Sequence, residues 1–213
     1  VIEADATNAL SEVMVIADEG ANPAWVAADL LSQAEHGTGK EKIYLAVPSR
    51  EFWNRICTEL KSQLAQLENT GTIEEILASR FLIGVYLSLA DAVAFANAAA
   101  PEHLELQVSA DKIAGLSRDI TTAGAILQGY HTPTVLGDFV AGPSHTLPTD
   151  GTGRFSGGLQ SIDFMRRSSF VRSTTRANRA VMETVQAFGD MESLPIHVAS
   201  LRCRIEKGGN SGS

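Results

Sequence analysis

Three runs of β-branched and aliphatic residues are each followed within a few residues by a helix-start signal. The runs are SEVMVIAD (residues 11–18), KIYLAVP (42–48) and FLIGVYL (81–87). Asn22-Pro23 follows the first, with Asn a favoured cap and Pro suited to the first helical position. Ser49 follows the second, and Ser88 with Asp91 forms a capping box after the third. Apolar strands separated by whole helices cannot pair as hairpins. They run parallel, buried on both faces, with crossover helices covering the sheet. The fold class expected is therefore α/β: a Rossmann-like, doubly wound, mainly parallel sheet.

The helices carry their own marks. PAWVAADLLSQAEH runs from Pro23 towards Gly37, where a C-terminal glycine belongs, and Phe52, Ile56, Leu60 and Leu64 repeat at helical spacing. Thr72 and Glu75 read as a capping box for a further short helix, and LELQV and GAILQG read as further strands. From about Gly151 the chain turns glycine-rich and polar, then shows helical patterns near residues 176–188 and 194–205. The expected organisation is an α/β domain over residues 1–150, a linker with a small C-terminal helical appendage over 151–206, and a disordered tail over 207–213.

Composition excludes several function classes. A net charge of -8, with no basic cluster beyond Arg166-Arg167, argues against a nucleic-acid surface. No apolar run reaches the roughly eighteen residues of a membrane span. The start VIEADATNAL is unlike a secretory signal, and Cys57 and Cys203 stand far apart, as suits a reducing cytoplasmic setting. The expected partners are small molecules or other protein chains.

Four places combine polar chemistry with a turn or helix end. Gln33 and His36 share the expected last turn of a helix and so one side of it. Glu102 and His103 stand at a helix-to-strand break, and Asp138 and His145 lie in a loop framed by glycines and prolines. Glu192 and His197 flank the start of the last helix. His36, Asp138 and His197 would supply two imidazoles and a carboxylate, an ordinary zinc ligand set, and Gln33 an uncommon amide oxygen. Each residue also has a plainer reading: His36 serving the helix dipole, Asp138 a turn, Glu102 the start of a turn, His197 polar surface. Spacing alone leaves both readings open.

The order of these motifs resembles the histidinol dehydrogenase family, zinc- and NAD-dependent enzymes of histidine biosynthesis. The matching segments are SEVMVIADEGANPAWVAADLLSQAEHG, AAPEHLEL, GAILQGYHTPTVLGDFVAGPSHTLPTDGTGRFSGGL and ESLPIHVASLR. The resemblance implies Gln33, His36, Asp138 and His197 as zinc ligands and Glu102 with His103 as the acid/base pair. It implies substrate contacts at Ser11, Gln33, His36, His103, Asp138, His145, Glu192 and His197. The implied reaction oxidises histidinol to histidinal and then to histidine, with zinc holding the substrate and two NAD molecules taking hydrides in turn. His103 would accept the alcohol proton, and Glu102 would activate water for attack on the aldehyde. The resemblance further implies a homodimer in which the C-terminal segment, with Glu192 and His197, reaches the neighbour's site.

The resemblance has two departures. The family's first half, which carries its nicotinamide-binding domain, has no counterpart here, and no GxGxxG follows an expected strand. GTGRFSGG follows a loop instead, so the residues that would bind NAD are unassigned. The chain therefore reads as a fragment of the family. Ala9-Leu10 stands before Ser11 where the family carries Gly-Pro, which leaves room for a relative acting on another amino alcohol or polyol. A third reading, a non-catalytic metal-binding or dimerisation module, would keep the fold without the chemistry.

Overall fold

The computed structural model describes residues 10–206; Ala9 and the tail 207–213 lie outside the described residues. The chain divides after Met165 into two compact units.

The first unit is built on a five-stranded, all-parallel sheet. Its strands are β1 (Glu12–Ala17), β2 (Lys42–Val47), β3 (Phe81–Val85), β4 (His103–Gln107) and β5 (Ala125–Gln128). They lie in the order β3-β2-β1-β4-β5, so the winding reverses between β1 and β4. Val13, Val15 and Ala17 of β1 pack with α1 (Pro23–Ala34), α2 (Arg50–Leu64) and α3 (Gly71–Ser79). Met14 and Ile16 face the other way, onto α4 (Leu89–Ala99) and α5 (Ala110–Asp119). Covered on both faces, β1 is buried at every position, as its unbroken apolar run requires. Each such fully buried aliphatic side chain contributes about 2 kcal/mol of transfer free energy.

Local signals fix most boundaries. The Asn22 side chain accepts from the Ala24 N–H, with Pro23 in the first turn of α1, and Ser49 caps α2 through the Phe52 N–H. Ser88 and Asp91 cap α4 reciprocally. Elsewhere the structure corrects the sequence reading. The helix expected to start at the Thr72–Glu75 box starts at Gly71, after Thr70, whose hydroxyl donates to Glu74 Oε1 at 2.6 Å. Helix α5 follows β4, and the loop expected around Asp138 folds into a short helix, α6 (Thr134–Phe139). His36, expected in the last turn of α1, lies just beyond it: α1 ends at Ala34 and Gly37 turns the chain at φ +68°.

The second unit holds α7 (Thr175–Ala180), α8 (Met182–Met191) and α9 (Pro195–Glu206), so the pattern expected as one helix over 176–188 is broken at Val181. Gly189 of α8 lies against Val198 of α9, too close for any side chain at that position. Among the described residues no helix is long and apolar enough to cross a membrane.

Candidate functional site

Glu102 is placed by an abrupt turn. Helix α4 ends at Ala100, which adopts the left-handed conformation at φ +47° and ψ +58°. That conformation costs a non-glycine residue about 1 kcal/mol. It reverses the chain into Pro101-Glu102 and directly into β4. Because β4 pairs in parallel with β1, Val13 opposite His103, the residue before β4 falls beside the residues that open β1. Sequence separation of 91 residues collapses to a hydrogen bond: Ser11 Oγ donates to Glu102 Oε2 at 3.1 Å. The Glu12 N–H donates to the same oxygen at 3.0 Å, so Glu102 is pinned by one oxygen and Oε1 is left unengaged by these donors. Gly124 closes the underside; a Cβ there would lie 2.7 Å from the Glu102 carbonyl oxygen.

His103 begins β4 and, by alternation, shares a face with Glu105 and Gln107, while Leu104, Leu106 and Val108 fill the opposite core. Its Nδ1 is 3.6 Å from Glu102 Oε2 and its Nε2 is 3.3 Å from Asp138 Oδ1. Neither approach makes a hydrogen bond, and both ring nitrogens are buried without a partner. Burial opposes charge on this ring, but the Glu102 and Asp138 carboxylates outweigh it and hold the imidazole above its ordinary pKa.

Helix α1 supplies Gln33, whose Oε1 lies 3.4 Å from Ser11 Oγ and whose buried Nε2 has no partner. His36 is tied to the same turn by Nδ1 to the Gln33 carbonyl at 3.2 Å, and its ring is exposed. The structure thus brings together Ser11, Gln33, Glu102, His103 and Asp138 at the amino-terminal edge of the sheet. His145 is exposed in the segment after α6, and Glu192 and His197 are exposed residues of the second unit.

Sequence reasoning missed the support behind this site. Glu12, 1% exposed, accepts from Lys42 Nζ at 2.9 Å and from the Asp150 N–H at 3.2 Å, and Lys42 also reaches Asp150 at 2.5 Å. Burial works against the Lys42 charge, yet Asp150 and Glu12 hold its pKa above the ordinary value. An acid opening an otherwise apolar strand, as in EVMVIA, was the available signal.

Gln33, His36 and Asp138 offer an amide oxygen, an imidazole and a carboxylate, a donor set suited to zinc, and the unpartnered Gln33 amide and His103 ring are what a polar occupant would relieve. Among the described residues no three His, Cys, Asp or Glu side chains converge enough to hold a metal by themselves. A dinucleotide finds less support. At the opposite edge, where parallel sheets receive phosphates at the switch of winding, the Asp18 carboxylate takes up the donors that a phosphate would use. It accepts from the N–H groups of Gly20 at 2.9 Å and Ser109 at 3.1 Å, from Lys112 Nζ at 2.5 Å and from the Tyr130 hydroxyl at 2.8 Å.

A family model described as Histidinol dehydrogenase matches residues 1–205. The histidinol dehydrogenase of Thermosynechococcus vestitus is 40% identical over 196 residues, covering 92% of this chain and 45% of that protein. That of Aquifex aeolicus is 41% identical over 194 residues, covering 91% and 45%. The crystal structure of histidinol dehydrogenase from Elizabethkingia anophelis superposes with a TM-score of 0.84 at 32% identity, over 94% of this chain and 45% of that one. The chain spans about half the length of the curated relatives it matches. With its motifs in order along nearly the whole sequence and its α/β sheet shared with a solved relative, this chain belongs to the histidinol dehydrogenase family.

Proposed function

We propose that this chain carries the substrate-holding and acid/base part of a histidinol dehydrogenase, an NAD-linked, zinc-dependent oxidation of L-histidinol to L-histidine through histidinal. The observation that carries the reading is the convergence of Ser11, Gln33, Glu102, His103 and Asp138 at one sheet edge, in a member of that family.

Two half-reactions each need a proton acceptor, and this edge has two. His103 takes the hydroxyl proton of the alcohol; its buried ring nitrogens carry no competing hydrogen bond. Glu102 takes a proton from the water that adds to the aldehyde carbon, using the oxygen that Ser11 and Glu12 leave unengaged. Ser11 and Gln33 orient the substrate's polar groups. Gln33, His36 and Asp138 would hold zinc with His197 as a fourth ligand, and the ion would act as a Lewis acid that fixes the substrate's donor atoms. Glu192 and His197 belong to the unit that, in this reading, completes the site across a cytoplasmic homodimer, with His145 lining the pocket. The Asp18 carboxylate at the switch of winding disfavours a nucleotide phosphate there, because like charges repel and its N–H donors are already engaged.

Calorimetric titration of L-histidinol into this chain, with zinc and again after chelation, tests the proposal. Metal-dependent binding is the expected result. Retained zinc with no histidinol binding overturns the substrate assignment, and preference for another amino alcohol in the same titration would favour the related dehydrogenase.

A further inference from the structure

Behind the site, a second set of buried and half-buried polar groups links the three elements that carry it. Glu105, fully buried on the same face of β4 as His103, accepts from the Thr134 N–H at 2.6 Å and the Thr134 hydroxyl at 2.7 Å. Thr134 opens α6, and Asp138, beside His103, lies four residues later in that helix. Four residues of helix rise about 6 Å and two residues of strand about 6.6 Å. The short helix is therefore anchored at its start by Thr134 on Glu105, and the same strand brings His103 to within 3.3 Å of Asp138 near its end. From the other side the Gln107 amide bridges two acids: its Nε2 donates to Glu105 Oε2 at 3.1 Å and to Oδ2 of Asp29, on α1, at 3.5 Å, which brings the two carboxyl groups together. Asp29 precedes Gln33 by four residues, on the same face of α1.

We propose that Asp29 and Glu105 form a hydrogen-bonded carboxyl pair that sets where α6 presents Asp138 relative to Gln33 and His36 on α1. Both are then positioning residues of the site; the role of Asp138 rests on the function proposed above. The donors around Glu105 are Thr134, Gln107 and Asp29, all uncharged when Asp29 keeps its proton. Burial first, and the Glu105 charge second, push the Asp29 carboxyl up to about 9, so one proton is shared between the two acids at neutral pH. With that proton Asp29 is a donor to Glu105; without it, the half-buried Asp29 carboxylate would repel the buried Glu105 and loosen α1 from β4 and α6.

The test uses the whole chain and the variants Asp29→Ala, Asp29→Asn and Glu105→Gln. Without metal, Asp29→Ala should speed amide exchange across Thr134–Phe139 about tenfold or more, while α5 is unchanged. Asp29→Asn, whose amide still donates to Glu105, should restore the slow exchange. Zinc affinity, read by competition with a chelator, should fall about tenfold in Asp29→Ala and recover in Asp29→Asn. Glu105→Gln should fall between them. Unchanged α6 exchange in Asp29→Ala, or an Asn variant as loose as the Ala one, overturns the pairing. If Asp29→Ala does not fold, the carbon-13 shift of the wild-type Asp29 carboxyl decides: a protonated signal at pH 7 supports the pair, and titration near 4 overturns it. Failure of the wild-type chain to bind zinc would refute the metal reading alone, since exchange and the carboxyl shift need no metal.

Discussion

Two carboxylates sit at opposite edges of the same strand pair, and their surroundings differ in kind. Asp18, after β1, receives two backbone N–H groups, an ammonium and a phenol. Glu102, before β4, uses one oxygen for two donors and stands beside a buried imidazole whose nitrogens have no partner. At the carboxyl-terminal edge, where a parallel sheet usually takes its ligand, the chain's own acid engages two backbone N–H groups, an ammonium and a phenol. The amino-terminal edge is left polar, buried and incomplete. A carboxylate with every neighbour a donor is a structural tie, whereas a buried imidazole with no partner is the kind of group found at functional sites.

The sharpest way to break this comparison is chemical. Glu102→Gln in a complete enzyme should slow aldehyde oxidation by about a hundredfold or more while sparing alcohol oxidation. Its folding should barely change, because an amide oxygen can accept from Ser11 and Glu12. Equal loss in both half-reactions, read by single-turnover kinetics, would remove the water-activating role.

Asp18→Ala should do the reverse, costing roughly 3 kcal/mol of stability by stranding the Gly20 and Ser109 N–H groups, measured from denaturant midpoints. Burial alone would raise the Asp18 pKa, but Lys112, the two N–H groups and Tyr130 more than offset it and leave the carboxyl below its ordinary value. Its contribution is thus fully present above about pH 4 and is lost as pH falls below that. A wild-type chain whose acid sensitivity matches that of the Ala variant would contradict this account.

Gly124→Ala should strain the amino-terminal edge by about 1–3 kcal/mol, since the added carbon meets the Glu102 carbonyl and Pro148. Histidinol binding should weaken with it; full binding at reduced stability would show that Glu102 does not depend on that contact.

The smallest effect expected is in a pH slope. Asp29 is raised in the fold, so the stability of its protonated form is complete below the unfolded value near 4 and is lost as pH rises towards about 9. Asp29→Asn removes that titration, so the variant should gain on wild type as pH climbs from 5 to 9. Parallel pH profiles from thermal melts would count against a shared proton.

Much of the first unit was legible because its signals are local. Asn22-Pro23, Ser49 and the Ser88–Asp91 box each satisfy helix-end donors within a few residues, so nothing distant is needed to read them. The misreadings came where tertiary contacts override local chemistry. Asp138 follows a glycine in a stretch rich in glycine and proline, yet it lies in a helix because Glu105, from a different strand, receives the first N–H of that helix. Thr134 carries no local sign of that partnership.

By itself the sequence determined a parallel α/β sheet, a helical end, and membership of a family whose motifs it carries in order. It also marked Glu102 and His103 as an acid and an imidazole at a break. Only the tertiary structure decided which edge of the sheet gathers Ser11, Gln33, Glu102, His103 and Asp138 and what supports them there. Strand order depends on pairing between segments far apart: β4 enters beside β1, not beside β3, and that choice sets Ser11 against Glu102. The acids at Glu12, Asp29 and Glu105 look like misplaced charges in the chain. They become a support once the fold buries Glu12 and Glu105, and half-buries Asp29, beside their donors, because the cost of burying a polar group is offset only by a partner that the rest of the chain brings to it.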